Sequence, residues 1–291
     1  MRIKIESPEQ YYSMVNDAKK NWGRLQNNAY FLPECLETQI EQGRLSALFL
    51  NDALFFFLDC GSYEQLYFHA SKNIVSDTPT TDHMSEIQKP VVADLIGIVS
   101  PDCLAVSGTE DHFPAENIPS KLQPNCILLE KYRMKRMDCY YHMSAAAICK
   151  PVVSAPSGFF FSPAVSEQIP EILALLNASF SPIASDLPDA EELASLIRHG
   201  ESFSLADASG TLCGYCQYEA QGSQRMLRHL VIASKYRGHH LSDYILQNLS
   251  ERFPKNPSFL WVKEDNAAAS RLYHTWGYRF DGRILIHYFI E

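Results

Sequence analysis

Basic residues are in short supply. Twenty-five Lys and Arg face 34 Asp and Glu, a formal net charge of −9, and a sequence-nonspecific nucleic-acid binder, which needs a basic excess to neutralise phosphates, is disfavoured by that balance. Long apolar runs are also lacking. No stretch nears the roughly 18 uninterrupted apolar residues of a membrane span, and Met1-Arg2-Ile3-Lys4-Ile5-Glu6-Ser7-Pro8 has no apolar signal-peptide core, so a cytoplasmic protein without a membrane partner is expected. The eight cysteines lie scattered, mostly in apolar runs, as buried thiols of reducing compartments do. Cys213-Gly214-Tyr215-Cys216 has no second Cys pair, and a strand would place its two thiols on opposite faces, so neither a zinc nor a redox site is read there and no metal is expected.

What is present is enough apolar material for real cores, 46% hydrophobic with 12% aromatic residues. A length of 291 residues, at about 100–200 per domain, argues for two domains. Lys150-Pro151-Val152-Val153-Ser154-Ala155-Pro156-Ser157 interrupts the apolar periodicity and marks a boundary, which predicts domains over 1–150 and 158–291.

In the second half, 158–162 reads as a strand. Ser166 then reads as the cap of a helix carrying Ile169, Ile172, Leu173 and Leu176, with Pro170 in its first turn, and Asp189 caps a second helix with Leu193, Leu196 and Ile197. Strand-like runs at 202–206, 212–220 and 226–233 form an antiparallel meander. Helix 241–249, strand 258–263, helix 266–276 and strand 278–290 follow. The first half shows a similar order: a helical stretch over 31–42, strands at 45–50, 53–60 and 65–70, and an aromatic strand at 134–142, which suggests a weak repeat of two α/β units.

The chemistry is concentrated in Leu230-Val231-Ile232-Ala233-Ser234-Lys235-Tyr236-Arg237-Gly238-His239-His240-Leu241. A strand runs into a tight turn with a glycine and a helix starts at once, so unpaired backbone N–H groups and the positive end of a helix dipole converge on one spot suited to a phosphate. About thirty residues on stands Asn266-Ala267-Ala268-Ala269-Ser270-Arg271-Leu272-Tyr273-His274-Thr275-Trp276-Gly277-Tyr278. Over 158–291 this sequence resembles the GNAT superfamily of acyl-CoA-dependent N-acetyltransferases. Lys235, Gly238 and His240 stand at that family's Gln/Arg-x-x-Gly-x-Gly/Ala turn, and Asn266, Ala269, Leu272, Tyr273, Gly277 and Tyr278 at its second motif. The turn departs from the pattern at Lys235 and at His240, which replaces a small residue.

The resemblance implies an α/β fold of two tandem GNAT-like units, each a mixed, largely antiparallel sheet flanked by helices, the first degenerate and without a cofactor motif. It implies acetyl-CoA as acyl donor and a primary amine of a small molecule or peptide as acceptor. Main chain of Leu230, Val231 and Ile232 would meet the pantetheine arm and thioester, Arg237, Gly238, His239, His240, Leu241 and Ser242 would hold the pyrophosphate, and the Asn266 amide would touch the pantetheine. Tyr273 stands where the family places the acid for the departing thiolate. The amine also needs a base, and among the central strands Glu219 and His229 are candidates, His229 having the better intrinsic pKa. A tyrosine near Leu272 and Trp276 could equally be core, and a non-catalytic acyl-CoA-binding or interaction module is the alternative that His240 and the missing strong base favour.

Overall fold

The computed structural model describes residues 2–23, 25–28, 33–50, 53–71, 89–98, 122–148, 156–181 and 185–290. The turn expected at 51–52, most of the boundary at 150–157, and Cys103 and Cys149 lie outside them. The described cysteines form no disulfide.

The chain divides into two compact units, and the division is not the one expected at 150–157. Unit 1 holds the described residues of Met1–Gly108, Phe113–Cys139 and Ile284–Glu291; unit 2 holds those of Tyr140–Arg283. The last strand of each half therefore runs on into the unit built mainly by the other half. A strand is stable where its main chain finds a ladder and its side chains a core, and sequence adjacency does not decide which ladder that is.

In unit 1, β1 (Ile3–Lys4) leads to α1 (Pro8–Trp22), then β2 (Leu25–Asn27), α2 (Pro33–Glu41), β3 (Leu45–Phe49), β4 (Ala53–Asp59), β5 (Glu64–Ser71), β6 (Val91–Ile98) and α3 (Gln123–Lys131). Helix α1 went unread in the sequence although its signals are there. Ser7 accepts a hydrogen bond from the Gln10 N–H, Pro8 occupies the first turn where no N–H is needed, and Gly23 closes the helix at φ 72°. Tyr11, Val15 and Ala18 turn inward to pack with Leu54, Phe56 and Leu58 of β4. The strands run in the order β1-β3-β4-β5-β6-β13, where β13 (Arg279–Ile290) supplies Ile284, Ile286 and Tyr288, all buried.

Unit 2 contains the inner part of β7 (Lys135–Ala145), β8 (Phe159–Pro163), α4 (Ile169–Ser179), α5 (Ala190–Arg198), β9 (Ser202–Asp207), β10 (Leu212–Gln221), β11 (Gln224–Ile232), α6 (Leu241–Arg252), β12 (Ser258–Lys263), α7 (Ala267–Thr275) and the start of β13. Strand order is β7-β12-β11-β10-β9-β8. Of the described pairings here, β11 with β12 is parallel; β12 pairs antiparallel with β7 from Ser258↔Ala145 to Lys263↔Tyr140. Asp189 caps α5 through bonds from Glu191 and Glu192 N–H while Glu192 reaches back to its N–H, a capping box. Ser166 does not cap α4. Residues 166–168 form a 3-10 turn, and Gln168 accepts the Val165 N–H instead. Ile172, Leu176 and Leu193 seal the sheet face carrying Tyr215 and Val231.

Candidate functional site

Strand β11 carries the site because of a bulge. Its pairing with β10 passes from Gln217↔His229 to Tyr218↔Leu227, so Arg228 is an extra residue. Before it, the Arg225 N–H points toward β12, donating to the Pro257 carbonyl; after it, the Ala233 N–H points toward β10, donating to Cys213. By alternation from Ala233, the main chain of Leu230 and Ile232 faces the β12 side. Parallel pairing with β12 is limited to Arg225↔Ser258 and Met226↔Phe259, so this edge opens as a fork. Within it the Ile232 carbonyl takes the Arg237 Nε–H at 3.2 Å. Val231 points its carbonyl to β10, and Gly214 opposite has no room for a Cβ, which would stand 2.9 Å from that oxygen.

A 3-10 turn over 234–236 then leads to Gly238 at φ 83° and to His240, which precedes α6 in the left-handed region at φ 55°. The Tyr244 N–H is the first to bond within the helix, to the His240 carbonyl. Among the described residues the N–H groups of 238–243 have no partner, and together they form the uncapped positive end of α6. Leu241 contributes main chain alone, its side chain being buried. The His240 side chain is 82% exposed and points away from the helix core, so the larger residue does not fill the turn. Sequence reading missed the acid beside it. Asp243 sits in the first turn, accepts the Trp276 indole N–H at 2.9 Å and stands 3.4 Å from His240 Nδ1. This carboxylate opposes the attraction of the helix end for an anion.

On α7, Asn266 Oδ1 caps the helix by accepting the Ala269 N–H at 3.1 Å. Its exposed Nδ2 remains available to a ligand carbonyl. Tyr273 lies on the inner face of α7, 9% exposed and edge-on to Tyr278, with no hydrogen bond to its hydroxyl among the described residues. Burial holds its proton well above the ordinary tyrosine range, with Cys216 a lesser cause.

His229 and Glu219 belong to one buried polar chain. Ring Nε2 of His229 lies 3.0 Å from the Ser185 carbonyl and Nδ1 lies 2.8 Å from Gln217 Oε1, while Gln217 Nε2 donates to Glu219. Arg228, the bulged residue, clamps Glu219 with Nε at 2.8 Å and reaches Asp186 with Nη1 at 2.9 Å. Burial pushes the His229 pKa down to about 4. Both ring nitrogens face acceptor oxygens inside the chain, of which a neutral ring can donate to only one, and the ring rests against Phe180, so His229 turns neither nitrogen toward an incoming amine. A sequence shows neither Gln217 as the partner of His229 nor Arg228 as the partner of Glu219, because a bulge leaves no periodic mark.

A second group fixes the turn. Asp207, at the end of β9, accepts the Tyr236 hydroxyl at 2.8 Å and the Ser209 and Thr211 N–H groups at 2.9 and 3.1 Å. The Ser209 hydroxyl, which also donates to this carboxylate, and then these donors hold its pKa down to about 2.

Residues 169–278 match the family model described as the acetyltransferase (GNAT) family. Among solved structures, a GCN5-related N-acetyltransferase from Sphaerobacter thermophilus aligns with TM-score 0.53 at 13% identity, over 99% of this chain and 94% of its own. A GNAT-family acetyltransferase from Colwellia psychrerythraea aligns with TM-score 0.52 at 11% identity, over the whole of both chains. A tandem GNAT protein from the clavulanic acid biosynthesis pathway aligns with TM-score 0.52 at 12% identity, over 85% of this chain and 82% of its own. No curated protein matches the sequence. The chain thus has the GNAT fold, and these whole-chain alignments fit a tandem arrangement.

Proposed function

From the premise that residues 169–278 are a GNAT acetyltransferase domain, we propose that unit 2 binds acetyl-CoA and transfers its acetyl group to a primary amine. The observation that carries this reading is a single strand–turn–helix in which a strand edge that no described strand pairs with at Leu230 and Ile232, the Ile232 carbonyl meeting Arg237 Nε–H, leads directly to the N–H groups of 238–243, which have no partner among the described residues. The first can pair with an extended, amide-bearing chain and the second can hold phosphates. Gly238 fits this turn, since its φ of 83° is one that a side chain would strain.

When bound, acetyl-CoA supplies the activated thioester. The chain's own residues then orient it and manage protons. Strand edge amides near Leu230 are suited to polarise a carbonyl. Arg237, His239 and Ser242 surround the helix end, and Asn266 Nδ2 is the donor left on α7. Tyr273 holds its proton at Oη at every physiological pH, and it can pass that proton to a departing thiolate whose own pKa is raised by the same dry surroundings. With His229 and Glu219 engaged in the polar chain, the amine's proton is assigned to solvent water rather than to either side chain.

The second reading, a non-catalytic acyl-CoA-binding module, is favoured by that engagement and by Asp243 at the helix end. Release of free thiol from acetyl-CoA in the presence of a panel of primary amines decides between them: amine-dependent release is expected, and binding without release under any amine supports the module.

A further inference from the structure

Unit 1 repeats the forked strand pair of the site. One edge of β5 pairs antiparallel with β4. The other pairs parallel with β6 at Glu64↔Val91, Gln65↔Val92 and Leu66↔Ala93 and then parts from it, just as β11 parts from β12 after Met226↔Phe259. In unit 2 no described strand pairs with the edge beyond the fork, where the Arg237 Nε–H meets the Ile232 carbonyl. In unit 1 it is taken.

Two neighbouring features take it. Strand β2 pairs antiparallel with β5 at Asn27↔His69, Gln26↔Ala70 and Leu25↔Ser71. Asn28 then lays its side-chain amide into the fork itself: Nδ2 donates to the carbonyls of Leu66 and Asp94, each at 3.1 Å, and Oδ1 accepts the Phe68 N–H at 2.7 Å. A primary amide that donates to one strand carbonyl and accepts from the N–H two residues on makes the two bonds that one residue of a parallel extended chain, through its own N–H and C=O, would make along that edge. Its third bond, to Asp94 on β6, spans the fork. The β6 wall is itself fixed, because Gln65 Nε2 donates to Asp94 Oδ2 at 3.0 Å and His287 of β13 bonds the other carboxylate oxygen. All three partners of the Asn28 amide are main-chain groups, which would be left unpaired in the fork without it.

We infer that unit 1 contains a second groove of the kind proposed to receive an extended amide-bearing chain in unit 2, and that residues 25–28 are its resident occupant, an internal ligand that leaves only unit 2 open to acyl-CoA. The comparison with unit 2 rests on the proposed function; the occupancy of unit 1 does not. An outside chain could enter the unit 1 groove only by displacing the β2 pairing together with the Asn28 amide.

Residue-resolved amide hydrogen exchange on the full chain, with coenzyme A as the probe, tests this. In the unaltered protein the Phe68 amide is expected to exchange slowly and at the same rate with and without saturating coenzyme A. Asn28→Ala is expected to speed Phe68 exchange about tenfold, the scale of one lost hydrogen bond, with no change at Leu230. Asn28→Asp, nearly identical in shape, keeps the acceptor but sets a carboxylate against the Leu66 and Asp94 carbonyls, and is expected to speed Phe68 exchange as well. Slowing of residues 66–71 by coenzyme A in the unaltered protein, or unchanged Phe68 exchange in both variants, overturns the inference. Absence of any coenzyme A effect at Leu230 would instead count against the proposed function, while the Phe68 rates still decide who occupies the groove of unit 1.

Discussion

At the scale of single residues, the acid and the turn can be separated by substitution. Tyr273 lies at the core-facing side of α7 with no hydrogen bond to its hydroxyl among the described residues, so Tyr273→Phe removes a proton donor and little packing. Transfer is expected to slow by about 10²-fold or less with acetyl-CoA affinity nearly unchanged, read from kcat and a binding titration. A collapse of binding would make Tyr273 structural. Asp243 places a negative charge in the first turn of α6, and Asn in its place can still accept the Trp276 N–H. Asp243→Asn is therefore expected to tighten acetyl-CoA binding by a factor of about two to five at low ionic strength, and to lose that advantage as salt is raised. His240 bears the strain of a left-handed backbone at φ 55° with its side chain in solvent. His240→Gly should raise the melting temperature slightly, by relief of about 1 kcal/mol offset in part by chain entropy, and shift acetyl-CoA affinity by no more than about fivefold.

At the scale of elements, the turn before α6 is held by β9. Asp207 gathers the Ser209 and Thr211 amides and the Tyr236 hydroxyl onto one carboxylate, which ties the hairpin of β9 and β10 to the 3-10 turn over 234–236. Tyr236→Phe cuts this tie without touching the N–H groups of 238–243. The Michaelis constant for acetyl-CoA is expected to rise several-fold with kcat changed less, whereas a purely structural tyrosine would lower the folded fraction and leave the Michaelis constant alone. The Asp207 pKa is depressed to about 2, so the tie is complete above the ordinary carboxylate range near ~3.9 and is lost only as pH falls through about 2. Elements with their own signals were legible in the sequence: Asp189 as a cap, the alternating strands of 202–232, and the glycine turn. The bulge at Arg228 was not, since one extra residue in a strand leaves the apolar pattern intact on either side and shows only in the register with β10.

At the scale of the molecule, buried histidines couple stability to pH. His69 lies beneath α1 against Phe56, with both ring nitrogens buried and without a hydrogen-bond partner among the described residues, and burial pushes its pKa down to about 4, as it does for His229. Both are below the unfolded value near ~6.5, so the unfolded chain binds more protons between pH 6.5 and 4. Stability is thus complete above about 6.5 and falls as pH drops toward 4. The melting temperature is expected to decline over that window, and His69→Leu, which removes two unbonded polar atoms from the core, should flatten the decline; an unchanged slope would remove His69 as a contributor. The exchange of terminal strands has a separate consequence. Residues 284–290 belong to unit 1 and residues 140–145 to unit 2, so chains cut at 150–157 are expected to be poorly folded when expressed apart, with broad melting by circular dichroism, and to recover a cooperative transition when expressed together.

Sequence alone determined the local grammar of this protein. Cap, turn and alternating strand depend on neighbours within a few residues, and so do the order of elements in each half and the strand–turn–helix at 230–242. Tertiary structure decided which strands pair and which polar groups are spent. The β7 and β13 ladders, the fork at β11, its filled counterpart at Asn28, and the engagement of His229 by Gln217 and Ser185 all join residues far apart in the chain. Hydrogen bonding and burial act through space, and a residue's chemistry becomes its role only once they have chosen its partners.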